Sequence, residues 1–131
     1  MPQHTDPITV FLVEDSAAVR NRIAVMFTPP TAQVVGAANS PAGAIAGILA
    51  QQPDVVVLDA HLQGGTGLEV LQAIRPHLPG VAFVVFSNSA APPYRSRYMA
   101  AGAVDFLDKS TESSRLPAAV QAAARRQPLS H

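Results

Sequence analysis

Five short apolar runs punctuate the chain, and after each the apolar residues recur every three or four positions. The runs span residues 8–13, 33–38, 55–58, 81–86 and 104–107, and they read as strands. Behind Ser16, an N-cap residue, Val19, Ile23, Met26 and Phe27 fall at helical spacing. Ser40-Pro41 supplies a cap and first-turn proline for Ala44, Ile45, Ile48 and Leu49. Thr66-Gly67-Leu68-Glu69 has the spacing of a capping box ahead of Leu71 and Ile74. Pro29-Pro30, Pro53 and Pro76 close these three helices. Pro92-Pro93 opens a short fourth helix that Gly102 ends, and residues 113–126 form the last. Strand and helix alternating five times predict an α/β fold with a parallel sheet.

Three of the strands finish in charge: Glu14-Asp15, Asp59 and Asp108-Lys109. The carboxyl ends of parallel strands meet along one edge, so these residues are expected to converge into a site. Carboxylates gathered around one lysine suggest a cation and a phosphoryl group.

The chain has 131 residues, 48% of them hydrophobic and 14% charged, which suits a single domain with one buried core. That domain is expected over residues 8–126, with flexible termini at 1–7 and 127–131. Nine basic residues balance nine acidic ones, so no direct nucleic-acid contact is expected. The absence of cysteine rules out disulfides and thiolate metal sites. No apolar run is long enough to span a bilayer and the N-terminus opens no signal-like stretch, which makes no membrane association and a cytoplasmic location the default.

The ordered set of residues resembles the receiver domain of bacterial two-component response regulators. It comprises an acidic pair after the first strand, an aspartate after the third, a hydroxyl after the fourth and a lysine after the fifth. The resemblance runs from about Ile8 to Arg126. It implies a flavodoxin-like, CheY-like three-layer fold with five parallel strands in order 2-1-3-4-5 and five helices. It further implies that Asp59 is the phosphoacceptor, a carboxylate nucleophile that becomes an aspartyl phosphate. Glu14 and Asp15 would hold Mg²⁺ together with Asp59 and the backbone carbonyl of His61. Lys109 and Ser87 would bind the phosphoryl group, and Ser87 with Phe106 would form the switch. Read as residues alone, Asp15-Ser16 could be only a helix cap, Lys109 could pair with Asp105 or Asp108 at the surface, and Phe106 could be plain core.

Several positions depart from the family pattern. Gln63 stands where many receivers carry proline, which predicts a mobile loop after Asp59, with Gly64, Gly65 and Gly67 keeping its turn accessible. Ser110 replaces the proline that commonly follows the lysine, which leaves the Lys109-Ser110 bond free to be cis or trans. Asn88 is bulkier than usual beside Ser87. With His61 and Ser89 it is a candidate for tuning how fast the phosphoryl group is lost.

The implied function is a stand-alone response regulator that takes a phosphoryl group from a sensor histidine kinase or phosphotransfer protein. It signals to a downstream protein and is a switch rather than a metabolic enzyme. Residues 92–126, with Tyr94, Arg95, Arg97, Tyr98 and Met99, are the expected output surface and are compatible with a homodimer. A haloacid-dehalogenase-like phosphatase is disfavoured because His61 stands where a second aspartate is needed. A flavin module is disfavoured because Glu14-Asp15 would repel phosphate. A pseudo-receiver that binds partners without phosphorylation is the remaining alternative.

Overall fold

The computed structural model describes residues 6–125. Its strands and helices alternate as the apolar pattern predicts: β1 (Ile8–Val13), α1 (Ala17–Ala24), β2 (Ala32–Ala38), α2 (Pro41–Gln51) and β3 (Val55–Leu58) come first. A two-residue hairpin, β4 (His61–Leu62) and β5 (Gly65–Thr66), interrupts the order before α3 (Gly67–Ile74). The chain continues through β6 (Ala82–Ser87), α4 (Pro92–Ala100), β7 (Asp105–Asp108) and α5 (Leu116–Arg125). The main sheet is parallel throughout, in the order β2-β1-β3-β6-β7. With the hairpin set aside this is the expected 2-1-3-4-5 arrangement of a flavodoxin-like fold.

Because helices cover both faces, β3 is apolar at every position and its neighbours β1 and β6 nearly so, and successive side chains go to opposite layers. Phe11, Val13, Val56, Leu58, Phe83, Val85 and Phe106 pack with Ala44, Ile48, Val70, Leu71, Ile74 and Tyr98 from α2, α3 and α4. Val10, Leu12, Val55, Val57, Val84, Phe86 and Leu107 pack on the other face with Ile23, Leu116, Val120 and Ala123 from α1 and α5. Leu58 is completely buried, and truncating it to alanine would cost about 2–5 kcal/mol. The sheet is therefore a rigid plate that fixes the height at which each strand ends.

The helix starts follow their local signals. The Ser16 hydroxyl accepts from the Val19 N–H, and the Ser40 hydroxyl from the Gly43 N–H. Thr66 and Glu69 exchange both bonds of a capping box. Several boundaries shift by about a turn or less. β2 begins one residue early, at Ala32, and β6 and β7 each lie one residue later than expected, at Ala82–Ser87 and Asp105–Asp108. α1 ends at Ala24, so Met26 and Phe27 lie beyond it, and residues 113–115 form a single 3₁₀ turn ahead of α5. Arg126 and both predicted flexible termini, apart from Asp6 and Pro7, lie outside the described residues.

Candidate functional site

Glu14 and Asp15 directly follow β1, Asp59 follows β3, Ser87 is the last residue of β6 and Lys109 follows β7. All five line one shallow cavity of about 260 Å³, together with Ser16, Val19, His61 and Asn88. The sheet thus brings together residues up to 95 positions apart in sequence. Lys109 sits at the centre, its Nζ 2.7 Å from Glu14 Oε1 and 3.2 Å from Asp59 Oδ2. The surface alternatives for Lys109 are not adopted. Asp105 Oδ1 accepts the Phe106 N–H, and Asp108 Oδ1 accepts the Ser110 N–H and hydroxyl.

Glu14 and Asp59 are 3% and 7% exposed, unusual for carboxylates unless they are paired. Glu14 commits both oxygens, Oε1 to Lys109 and Oε2 to the Ser16 N–H at 3.0 Å. Burial nevertheless pushes its carboxyl above the usual range, and the negative charge of Asp59 adds to the effect, while the Lys109 and Ser16 bonds oppose it. Asp59 Oδ1 has no hydrogen-bond partner among the described residues. Asp15 is exposed at the rim of the same cavity.

Three carboxylates and one ammonium line this cavity, leaving two negative charges in excess that one dication would balance. The donors are all oxygen, which suits a hard dication such as Mg²⁺. Among the described residues no three acidic or histidine side chains already form a closed metal cluster. Lys109 holds Glu14 and Asp59, and Asp15 stands apart at the rim. The donor set here fits that ion.

The loop after β6 is tethered twice. Ser87 is fully buried, and its hydroxyl accepts the Ser89 N–H at 3.0 Å. The Ser89 hydroxyl lies 2.7 Å from His61 Nε2, and the His61 ring meets Tyr94 of α4 edge-on, 6.3 Å between centroids. His61 is exposed, but its imidazole is bound to Ser89. The segment after Asp59 folds into the β4–β5 hairpin, with Gly64 at φ +80 in its turn. Gly67 opens α3 directly against the Asp59 carbonyl, where any side chain would collide with the backbone of the candidate nucleophile.

Phe106 is buried and already points into the core, edge-on to Tyr98 at 5.8 Å. The Tyr98 hydroxyl reaches the Ala60 carbonyl at 3.5 Å, a long contact, and burial raises the pKa of this phenol. The Lys109-Ser110 bond is trans; the cis bond among the described residues is Pro29-Pro30. One cluster beside the site was not foreseen, in which Arg95, Asp108 and Glu112 hold the turn that follows Lys109. Asp108 and Ser110, both turn formers, were the available signal for it.

The family model described as the response regulator receiver domain matches residues 10–121. The chain is 30% identical over 115 residues to the DNA-binding transcriptional activator DevR/DosR of Mycobacterium tuberculosis, covering 87% of this chain and 53% of that protein. It is 34% identical over 128 residues to a protein-glutamate methylesterase/protein-glutamine glutaminase of Pseudomonas savastanoi pv. phaseolicola, covering 89% of this chain and 36% of that one. It therefore spans about half or less of the length of these curated relatives. Among solved structures, the signal receiver domain of NarL from Mycobacterium tuberculosis superposes with a TM-score of 0.85 at 27% identity, covering 92% of this chain and 98% of that one.

Proposed function

The chain belongs to the response regulator receiver domain family, and from that premise we propose that it is a phosphorylation-controlled switch whose phosphoryl acceptor is Asp59. The observation that carries the assignment is the placement of Asp59. It is nearly buried at the end of the central strand β3, with one oxygen on the Lys109 ammonium and the other without a partner in the described protein. An Asp59 oxygen attacks the phosphorus of a sensor histidine kinase's or phosphotransfer protein's phosphohistidine. The new O–P bond forms as the P–N bond breaks, and the imidazole leaves with a proton from solvent. Lys109 places fixed positive charge beside the transferred oxygens, where negative charge persists through the transfer. The Ser87 hydroxyl can give up its local bond to Ser89 and donate to the phosphoryl group instead.

Asp15, Asp59 and the His61 carbonyl would hold Mg²⁺ together with Glu14, whose Oε1 also orients Lys109. When bound, the ion neutralises charge accumulating on the phosphoryl oxygens. The His61–Ser89 bond and Asn88 sit at the rim of the cavity and would set how freely water reaches the product. The signal would leave through α4, β7 and α5 to a downstream protein. Tyr94 and Met99 are exposed on α4 and suit such a contact, or one with a second copy.

Acetyl phosphate with and without Mg²⁺, followed by intact-mass measurement of wild type and Asp59→Asn, tests the assignment. A Mg²⁺-dependent gain of one phosphoryl group in wild type only is expected. No gain in wild type, with Mg²⁺ binding demonstrated, would instead make this a phosphorylation-independent interaction module.

A further inference from the structure

Lys109 carries its ammonium on four rotatable bonds, so the charge is only as well placed as the backbone beneath it. That backbone is held by residues outside the cavity. Glu112 lies three positions beyond Lys109, and its N–H donates to the Asp108 carbonyl at 2.8 Å. Its Oε1 accepts the Asp108 N–H at 2.9 Å, so the two residues close a ring of reciprocal bonds around Lys109. Within the ring Asp108 Oδ1 accepts from Ser110, N–H at 2.8 Å and hydroxyl at 2.6 Å. The Lys109 N–H itself is fixed to the Ser87 carbonyl at 3.0 Å.

The ring is anchored from α4. Arg95 Nη2 lies 3.2 Å from Glu112 Oε1, Nη1 donates to the Phe106 carbonyl at 2.8 Å, and Nε donates to the Ala90 carbonyl at 3.2 Å. Its guanidinium covers the Phe106 ring at 5.1 Å. One side chain thereby joins the loop after β6, strand β7 and the turn that carries Lys109. Arg115 Nη1 takes the second Glu112 oxygen at 2.6 Å. Both carboxyls of the ring lie below their usual range, Asp108 through its bonds from Ser110 and Glu112 through the Asp108 N–H and then Arg95. Both therefore stay charged at neutral pH.

We propose that Glu112, anchored by Arg95, is a positioning residue for Lys109, fixing the 108–112 turn so that the lysine ammonium reaches Asp59. The role rests on the phosphoacceptor reading of Asp59, and neither residue touches the reacting atoms. It also gives α4 a physical hold on the chemistry, because a partner that draws Arg95 away loosens the turn under Lys109.

The test is the rate of phosphorylation by acetyl phosphate with Mg²⁺, across phosphodonor concentrations, for wild type, Glu112→Gln, Glu112→Ala, Lys109→Ala and the Lys109→Ala/Glu112→Ala double variant. Glu112→Ala is expected to lower the maximal rate roughly tenfold, with the half-saturating phosphodonor concentration little changed. Glu112→Gln keeps an acceptor for the Asp108 N–H and should fall between. In the Lys109→Ala background, removing Glu112 should change nothing further. A wild-type maximal rate for Glu112→Ala, or an equal loss in both backgrounds, overturns the role. A wild-type protein that gains no phosphoryl group overturns the function proposed above and this role with it. If Glu112→Ala fails to fold by thermal melting, Arg95→Lys and Glu112→Gln carry the same comparison.

Discussion

Lys109 separates two groups of carboxylates that are held in opposite ways. Toward the cavity, Glu14 and Asp59 share one ammonium with Asp15 exposed at the rim beside them, and burial raises the pKa of Glu14. Toward α4, Asp108 and Glu112 are met by backbone N–H groups, a serine hydroxyl and two arginines, and both lie below their usual range. Residues of one chemical type, on either side of one lysine, thus form one under-compensated cluster and one satisfied cluster. The first keeps negative charge in reserve for a cation and a phosphoryl group. The second spends its charge on holding backbone still. Reactivity and rigidity are divided between neighbouring sites, and each depends on the other.

The sharpest way to break this contrast is to remove the excess charge. Glu14→Gln, in buffer with chelator, should raise stability at neutral pH by about 1 kcal/mol, because a buried charge is relieved while the amide keeps a hydrogen-bonding oxygen. For a domain of this size that is a Tm increase of ~4 °C. A lower Tm would mean that Lys109 compensates Glu14 fully.

The two clusters should also respond to pH with opposite sign. Glu14, raised above its ordinary 4.5, binds more protons folded than unfolded, so its penalty grows as pH rises through the folded value and is absent below 4.5. Asp108 and Glu112, lowered from 3.8 and 4.5, contribute stability that is present above those values and is lost as pH falls through the folded ones. Denaturant midpoints measured from pH 3 to 7 should therefore show a shallower acid limb in Asp108→Asn and a flatter neutral limb in Glu14→Gln. The acid-limb effect should be the smaller, since Asp108 and Glu112 are solvent-screened. Parallel pH profiles for the two variants would remove the distinction.

The smallest effect is expected at Tyr98, which touches both regions through Phe106 and the Ala60 carbonyl. Its hydroxyl contact is long, so Tyr98→Phe should change stability by less than about 0.5 kcal/mol. A loss above that in chemical denaturation would show that the hydroxyl matters more than its geometry indicates.

Most of the fold was legible in the sequence, because both its signals are periodic. The apolar runs at residues 55–58 and 81–86 mark strands buried on both faces, and the capping residues Ser16, Ser40 and Thr66 mark helix starts. The gathering of Glu14, Asp15, Asp59, Ser87 and Lys109 followed from the same pattern, since parallel strands deliver their ends to one edge. The β4–β5 hairpin was not legible, because strands of two residues carry no period. The partner of Lys109 was open for a related reason: Asp105 and Asp108 are nearer in sequence, and only the sheet's register brings Glu14 closer. The hold of Arg95 on Glu112, 17 positions away, depends on side-chain directions in a short turn, which no periodicity sets. Phe106 was ambiguous for another reason, since burial alone does not separate a switch from a core residue.

The bonds around Arg95 have a consequence for the rim of the sheet. β7 is a terminal strand, and such strands normally leave a row of N–H and C=O groups on which another chain can build. Here the outward groups of Phe106 are taken by Asp105 and Arg95, and those of Asp108 by Glu112 and Thr111. This margin is sealed by the protein's own side chains and turn. A second chain cannot lengthen the sheet here by zipping its backbone onto β7 without first prising Arg95 and Glu112 away. Association on this side must use side chains, which protects an apolar sheet from fibril-like growth.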